Sequence, residues 1–99
     1  MAAEVRYAPG AEDDVVEGYS FYENRATGLG EEFLRPVDAR ISAIARSPEA
    51  HQQIYKSYRR DVVRRFPFVV IYDYENGVVT VYSVFHTSQD PKKWRERLP

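Results

Sequence analysis

Four arginines, Arg59, Arg60, Arg64 and Arg65, fall within a single stretch of seven residues. A guanidinium presents a planar fork of donors that matches phosphate or carboxylate oxygens in pairs. Tyr55, Tyr58, Phe66 and Phe68 interleave with these arginines. That pattern suits a surface on which nucleic-acid bases stack, and Phe66 and Phe68 also suit an ordinary core. If the segment is a strand, Arg60 and Arg64 point to one side and Arg59 and Arg65 to the other. Charge on both faces equally fits an edge strand that must resist aggregation. A second basic cluster, Lys92, Lys93, Arg95 and Arg97, surrounds Trp94. Between the clusters stands His86, which could be a general base if a partner and a groove converge on it. Its other reading is a strand-end histidine bonded to backbone.

The remaining residue types exclude several chemistries. With no cysteine there is no disulfide, thiolate metal site or cysteine nucleophile, which fits a reducing cytoplasm. His51 lies in a polar loop beside Gln52 and Gln53 and is expected to face solvent. The two histidines are far apart and lack nearby carboxylate pairs, so no metal site and no cofactor are expected. Gly28-Leu29-Gly30 lacks the preceding strand of a phosphate loop and reads as a turn between helices. No serine nucleophile elbow is present.

The elements that must position these residues are readable from pattern. Arg64 to His86 contains two β-rich runs flanking Asn76-Gly77, a pair suited to a type I′ turn. That turn pairs Glu75 with Val78, Tyr72 with Val81, Phe68 with Phe85 and Pro67 with His86. Phe68, Val70, Tyr72 and Tyr74 then share a face with Val79, Val81, Ser83 and Phe85. Val69, Ile71 and Asp73 share the other with Thr80, Tyr82, Val84 and His86. Both faces are largely apolar, which predicts a central hairpin with helices on one side and a partly covered face or groove on the other.

Upstream, Glu4–Tyr7 reads as a first strand closed by a Pro9-Gly10 turn. Ala11, Val15, Tyr19 and Tyr22 then recur at helical spacing, with Glu12, Asp13 and Asp14 suited to the helix start. Thr27–Gly30 breaks this helix. A second follows, with Phe33, Val37, Ile41 and Ile44 on one face, ending near Ser47-Pro48. Pro36 sits inside it and predicts a bend or a short first turn. Residues 49–57 read as loop and 58–65 as a strand. Asp90-Pro91 reads as the start of a last helix, which must dock through Trp94 and Leu98 because it is too short to stand alone. The order β-α-α-β-β-β-α defines an α+β fold, a small antiparallel sheet with a helical hairpin on one face. Residues 1–99 are expected to form a single domain.

Charge is divided along the chain. Residues 1–50 carry ten acids and five bases, whereas residues 51–99 carry five acids and nine bases. The basic half suggests a surface for an acidic partner. No run reaches transmembrane length, and no signal-peptide core is evident, so a soluble cytoplasmic protein is expected. Tyr7, Tyr19, Phe21 and Tyr22, near the first strand and helix, are candidates for an apolar partner-binding surface.

Several segments in order resemble the RelE/ParE toxin superfamily. They are Gly28–Phe33, Ser47-Pro48, Val63–Phe68 leading into Ile71-Tyr72, Val84–Thr87, and Asp90-Pro91-Lys92-Lys93-Trp94. The resemblance implies a bacterial toxin of a type II toxin–antitoxin, or plasmid-stabilisation, system, neutralised by a cognate antitoxin. One branch cleaves ribosome-bound messenger RNA, and the ParE-like branch poisons DNA gyrase. Nuclease members carry an arginine where this chain has Val69, and two more where it has Ser88 and Gln89. A valine cannot stabilise a phosphoryl transition state. The resemblance therefore implies a gyrase-binding inhibitor without catalytic residues of its own. Its expected target surface is Arg59, Arg60, Arg64, Arg65, Lys92, Lys93 and Trp94. The expected antitoxin surface is Tyr7, Tyr19, Phe21 and Tyr22, and no direct DNA recognition by the chain alone is expected. The alternatives are a nuclease using Arg60, Arg64, Arg65 and His86, and a degenerate, non-toxic member.

Overall fold

The computed structural model describes residues 2–99. Its elements are β1 (Glu4–Tyr7), α1 (Pro9–Arg25), α2 (Leu29–Arg46), β2 (Gln53–Tyr55), β3 (Tyr58–Val62), β4 (Phe68–Glu75), β5 (Val78–His86) and α3 (Lys92–Arg97). The fold is α+β, as expected. The strands lie in the order β1-β5-β4-β3-β2, with the Asn76-Gly77 hairpin in the interior of the sheet. β1 runs parallel to β5, so the sheet is mixed rather than wholly antiparallel. β2 is an additional strand in the segment read as loop, a three-residue edge paired to β3. Its polar composition conceals it, because an edge this short has little apolar surface to bury. No helix among the described residues is long and apolar enough to cross a membrane.

α1 begins at Pro9 rather than Ala11, with the proline at a position where no N–H is needed. Between α1 and α2, Gly28 takes φ 89°, in the left-handed region that favours glycine. The Glu23 carboxylate accepts the N–H groups of Gly28 (3.0 Å) and Gly30 (3.0 Å), which satisfies donors at the start of α2. α2 continues through Pro36 without interruption. Fully buried Phe33 and Val37 flank the proline, so tertiary packing outweighs the one helical donor it removes.

Two clusters form, one on each face of the sheet. Under α1 and α2 lie Phe33, Val37, Ile41 and Ile44 with Phe68, Val70, Tyr72, Val79, Val81 and Val84. On the outer face Val69, Ile71 and Phe85 pack with Trp94 of α3, joined by Ile54 and Leu98. Asp90 Oδ1 accepts the Lys92 N–H at 3.0 Å, but α3 begins one residue later than expected, at Lys92 with Pro91 rather than Asp90 in the cap position.

The expected hairpin register holds only near its turn. Glu75 pairs with Val78 and Tyr72 with Val81, but Ile71 pairs with Ser83, leaving Tyr82 as the extra residue of a β-bulge. Beyond it Val69 pairs with Phe85 and Phe68 with His86, which corrects the expected Phe68–Phe85 and Pro67–His86 pairs. A one-residue slip exchanges the faces. Val84 therefore joins the core under the helices, while Phe85 turns to the outer face.

Candidate functional site

The basic residues do not form one patch. β3 ends at Val62, so Arg64 and Arg65 belong to the loop before β4, and the strand alternation expected for them does not apply. Both are exposed; Arg65 adopts φ 72° with its guanidinium carbon 5.8 Å from the centre of the Phe66 ring. Arg59 pairs with Tyr72 and is half-buried. It donates to the backbone oxygens of His51 (2.6 Å) and Glu49 (3.1 Å), so its fork is committed to pinning the chain before β2. Arg60 pairs with Ile71 and is exposed on the outer face.

There Arg60 borders a groove of about 240 Å³ lined by Val69, Ile71 and Phe85, with Trp94 and Arg95 on the α3 side. Trp94 is 6% exposed, so it serves as a wall rather than a free contact. Lys92 and Lys93 are exposed on α3. Arg95 stood within the C-terminal basic run, but only docking of α3 turns it toward this groove. Its guanidinium carbon lies 5.4 Å from the Trp94 ring centre and 5.6 Å from that of Tyr55. Tyr55 contacts Tyr58, and Tyr58 contacts Tyr82, extending an aromatic row along the same face. Tyr82 donates to Asp73 Oδ2 at 3.3 Å. Burial, reinforced by the Asp73 charge, pushes the Tyr82 phenol up to about 12. Burial likewise raises the Asp73 carboxyl, against the lowering effect of the Tyr82 hydrogen bond.

His86 lies on the opposite side of the sheet from Arg60. It borders a cleft of about 390 Å³ with Asp14, Glu17, Phe21, Phe68 and Ser88. Its Nδ1 accepts the Ser88 N–H at 3.0 Å and lies 2.7 Å from Ser88 Oγ, and its ring sits edge-on to Phe68. The bulge causes this separation, because it reverses the face that Asn76-Gly77 alone assigns to His86. His51, expected in solvent, is half-buried with Nε2 3.2 Å from Asp61 Oδ2, an oxygen also 3.1 Å from Arg40 Nη1.

The aromatic set near the N-terminus is divided too. Tyr7 is 41% exposed beside a cleft formed with Val5, Asp38, Ile41 and Arg46. Phe21 is exposed at the His86 cleft, under the Arg25 guanidinium at 4.4 Å. Tyr22 packs against Phe33 and Phe66 and is half-buried. Tyr19 stands where a Cβ on Gly30 would fall, 2.7 Å from its ring.

The family model described as the ParE toxin of type II toxin–antitoxin systems, parDE, matches residues 5–91. This chain belongs to that family. Toxin ParE2 of Mycobacterium tuberculosis, in strains CDC 1551 / Oshkosh and ATCC 25618 / H37Rv, is 28% identical over 92 residues. The match spans 92% of this chain and 88% of the relative. A solved structure described as the chromosomal ParDE TA system from P. aeruginosa superposes with a TM-score of 0.74 at 10% identity. It covers 86% of this chain and 96% of that one. The shared fold is thus the ParE fold, and the outer-face groove and the His86 cleft are two separate surfaces of this ParE-family chain.

Proposed function

We propose that this ParE-type toxin inhibits growth by binding DNA gyrase through the outer face of its sheet, with no chemistry of its own, and that a cognate antitoxin neutralises it. The observation that carries the reading is the separation of Arg60 from His86. A nuclease drawing on Arg60, Arg64, Arg65 and His86 needs these groups around one phosphate, yet Arg60 and His86 border clefts on opposite faces. Val69, where nuclease relatives carry an arginine, is 4% exposed within the apolar cluster of Trp94. What the outer face offers instead is an apolar floor with cations at Arg60 and Arg95, beside the exposed Lys92 and Lys93 of α3. Such a surface suits docking on an acidic partner.

The antitoxin surface we assign to exposed Tyr7 and Phe21, with Tyr19 and Tyr22 supporting them from partly buried positions. The deciding experiment runs purified protein in two assays, gyrase supercoiling and cleavage of ribosome-bound messenger RNA. Inhibited supercoiling with intact message is the expected result. Cleavage at the ribosomal A site, abolished by His86→Ala, overturns the proposal. Co-expression with the product of an adjacent short gene should give a stable complex and relieve growth inhibition.

A further inference from the structure

Asp14, in the second turn of α1, is buried to 10% side-chain exposure and joins three elements. Its carboxylate accepts the Ser83 hydroxyl at 3.0 Å and the Val84 N–H at 2.9 Å. It also accepts both prongs of the Arg97 fork, at 2.6 and 2.7 Å. Arg97 Nη1 donates further to the Gly10 carbonyl at 3.3 Å. This partly buried bidentate ion pair links residues 83 positions apart in sequence. Its acidic partner lies on the helix side of the sheet, while Trp94 of α3 is packed on the outer side.

We infer that Asp14 and Arg97 form a clamp that sets two walls of the outer-face groove, and so are positioning residues for docking there. The first wall is Phe85. β1 pairs with β5 only from Val78 to Val81, so among the described residues no strand satisfies the edge of β5 beyond that point. Ser83 and Val84 directly follow the bulged Tyr82. By taking their donors, Asp14 holds the bulge that turns Phe85 outward. The second wall is Trp94. α3 has six residues, too few to persist without tertiary anchors. Its anchors are the Trp94 ring, Leu98 just past its end and, three residues after Trp94, the Arg97 fork. One carboxylate thereby governs side chains on the far face of the sheet, by holding the backbone that carries them.

The inference rests on the outer face being the docking surface, but its physical core is tested without any target. Trp94 is the only tryptophan in the chain, so its emission and its quenching by acrylamide report directly on α3. In Arg97→Gln, quenching should rise about twofold and emission shift to the red, as for a short helix that has lost one of its few tertiary anchors. Circular dichroism of the body should be retained. Arg97→Lys, which keeps the charge but not the fork, should recover part of the change. Asp14→Asn should loosen Trp94 as well. In Asp14→Asn, Arg97→Gln should add little, since both act through one pair. Arg6→Gln, which breaks the exposed Arg6–Glu4 pair elsewhere, should leave Trp94 as it was. For the gyrase assay, Arg97→Gln should raise the inhibitory concentration roughly three- to thirtyfold, the range of couplings carried through packed side chains. Trp94 quenching and emission unchanged in folded Arg97→Gln and Asp14→Asn would overturn the clamp, even if gyrase proves to be the target. A loosened Trp94 in a protein that spares gyrase would uphold the clamp and remove only the target.

Discussion

Val69 is a packing residue, 4% exposed between Ile71, Phe85 and Trp94. Val69→Ala removes two carbons from the cluster with Ile71, Phe85 and Trp94 and should cost about 2 kcal/mol. A urea titration should show that loss, while the choice between gyrase and ribosome stays as in the parent. Asp73 makes a prediction with a definite sign. Burial raises its folded pKa, so folding favours the protonated acid. Its favourable contribution is complete below the unfolded carboxyl pKa and is lost as pH rises through the folded value. Asp73→Asn, which cannot ionise and can still accept from Tyr82, should therefore raise Tm at pH 7 and give no gain at pH 3. Tyr72 and Tyr82 extend the same logic to alkali. Tyr72 donates to the Pro48 carbonyl at 3.0 Å, and burial holds both phenols at about 12. Stability from both is present below the unfolded tyrosine value and lost as pH rises through the folded one. An ultraviolet titration should show these two ionising only as the chain unfolds.

Among the elements, the helical hairpin depends on glycine for closeness rather than for flexibility. A Cβ on Gly18 would lie 2.6 Å from carbons of the Phe33 ring. Phe33 is fully buried and surrounded by Tyr22, Phe66 and Phe68, so it has no room to withdraw. Gly18→Ala should cost about 1–3 kcal/mol, the usual penalty of overpacking, seen as a lowered urea midpoint. The bulge in β5 yields a paired test. Phe68→Ala and Phe85→Ala should each cost about 3–5 kcal/mol. Only Phe85→Ala should alter Trp94 emission, because Phe68 lies on the helix side. Without the bulge, Phe68 and Phe85 would share a face and the two variants would behave alike.

For the molecule as a whole, inhibition by docking and inhibition by catalysis respond differently to mutation. A docking surface distributes its energy unevenly over several side chains, whereas a catalytic pair fails at a single one. Arg60→Ala, Arg64→Ala and Arg95→Ala should each weaken growth inhibition in graded steps, and combinations should deepen the loss. His86→Ala should have a smaller effect, because it faces the α1 cleft. Arg59→Ala should act mainly by lowering stability, since its fork holds the backbone at Glu49 and His51. Growth curves beside thermal melts of the same variants separate these cases.

The sequence by itself determined whatever depends on neighbouring residues. Asn76-Gly77 placed the hairpin and its first pairs, apolar spacing placed α1 and α2, and Asp90-Pro91 placed the start of α3. The ordered segments from Gly28 to Trp94 carried the family. Tertiary structure decided how those elements meet. Val84 donates its N–H to the Asp14 carboxylate of α1, 70 positions earlier, and no local pattern announces the bulge beside it. Pro36 stays helical because Phe33 and Val37 are buried on either side of it. β2 exists only because β3 offers it an edge. His86 and Arg60, both legible as chemistry-bearing residues, end on opposite faces because one extra residue, Tyr82, reverses the alternation between them. Local signals fix conformation over a few residues, but the side to which a residue points accumulates along a strand, and a single long-range contact can invert it.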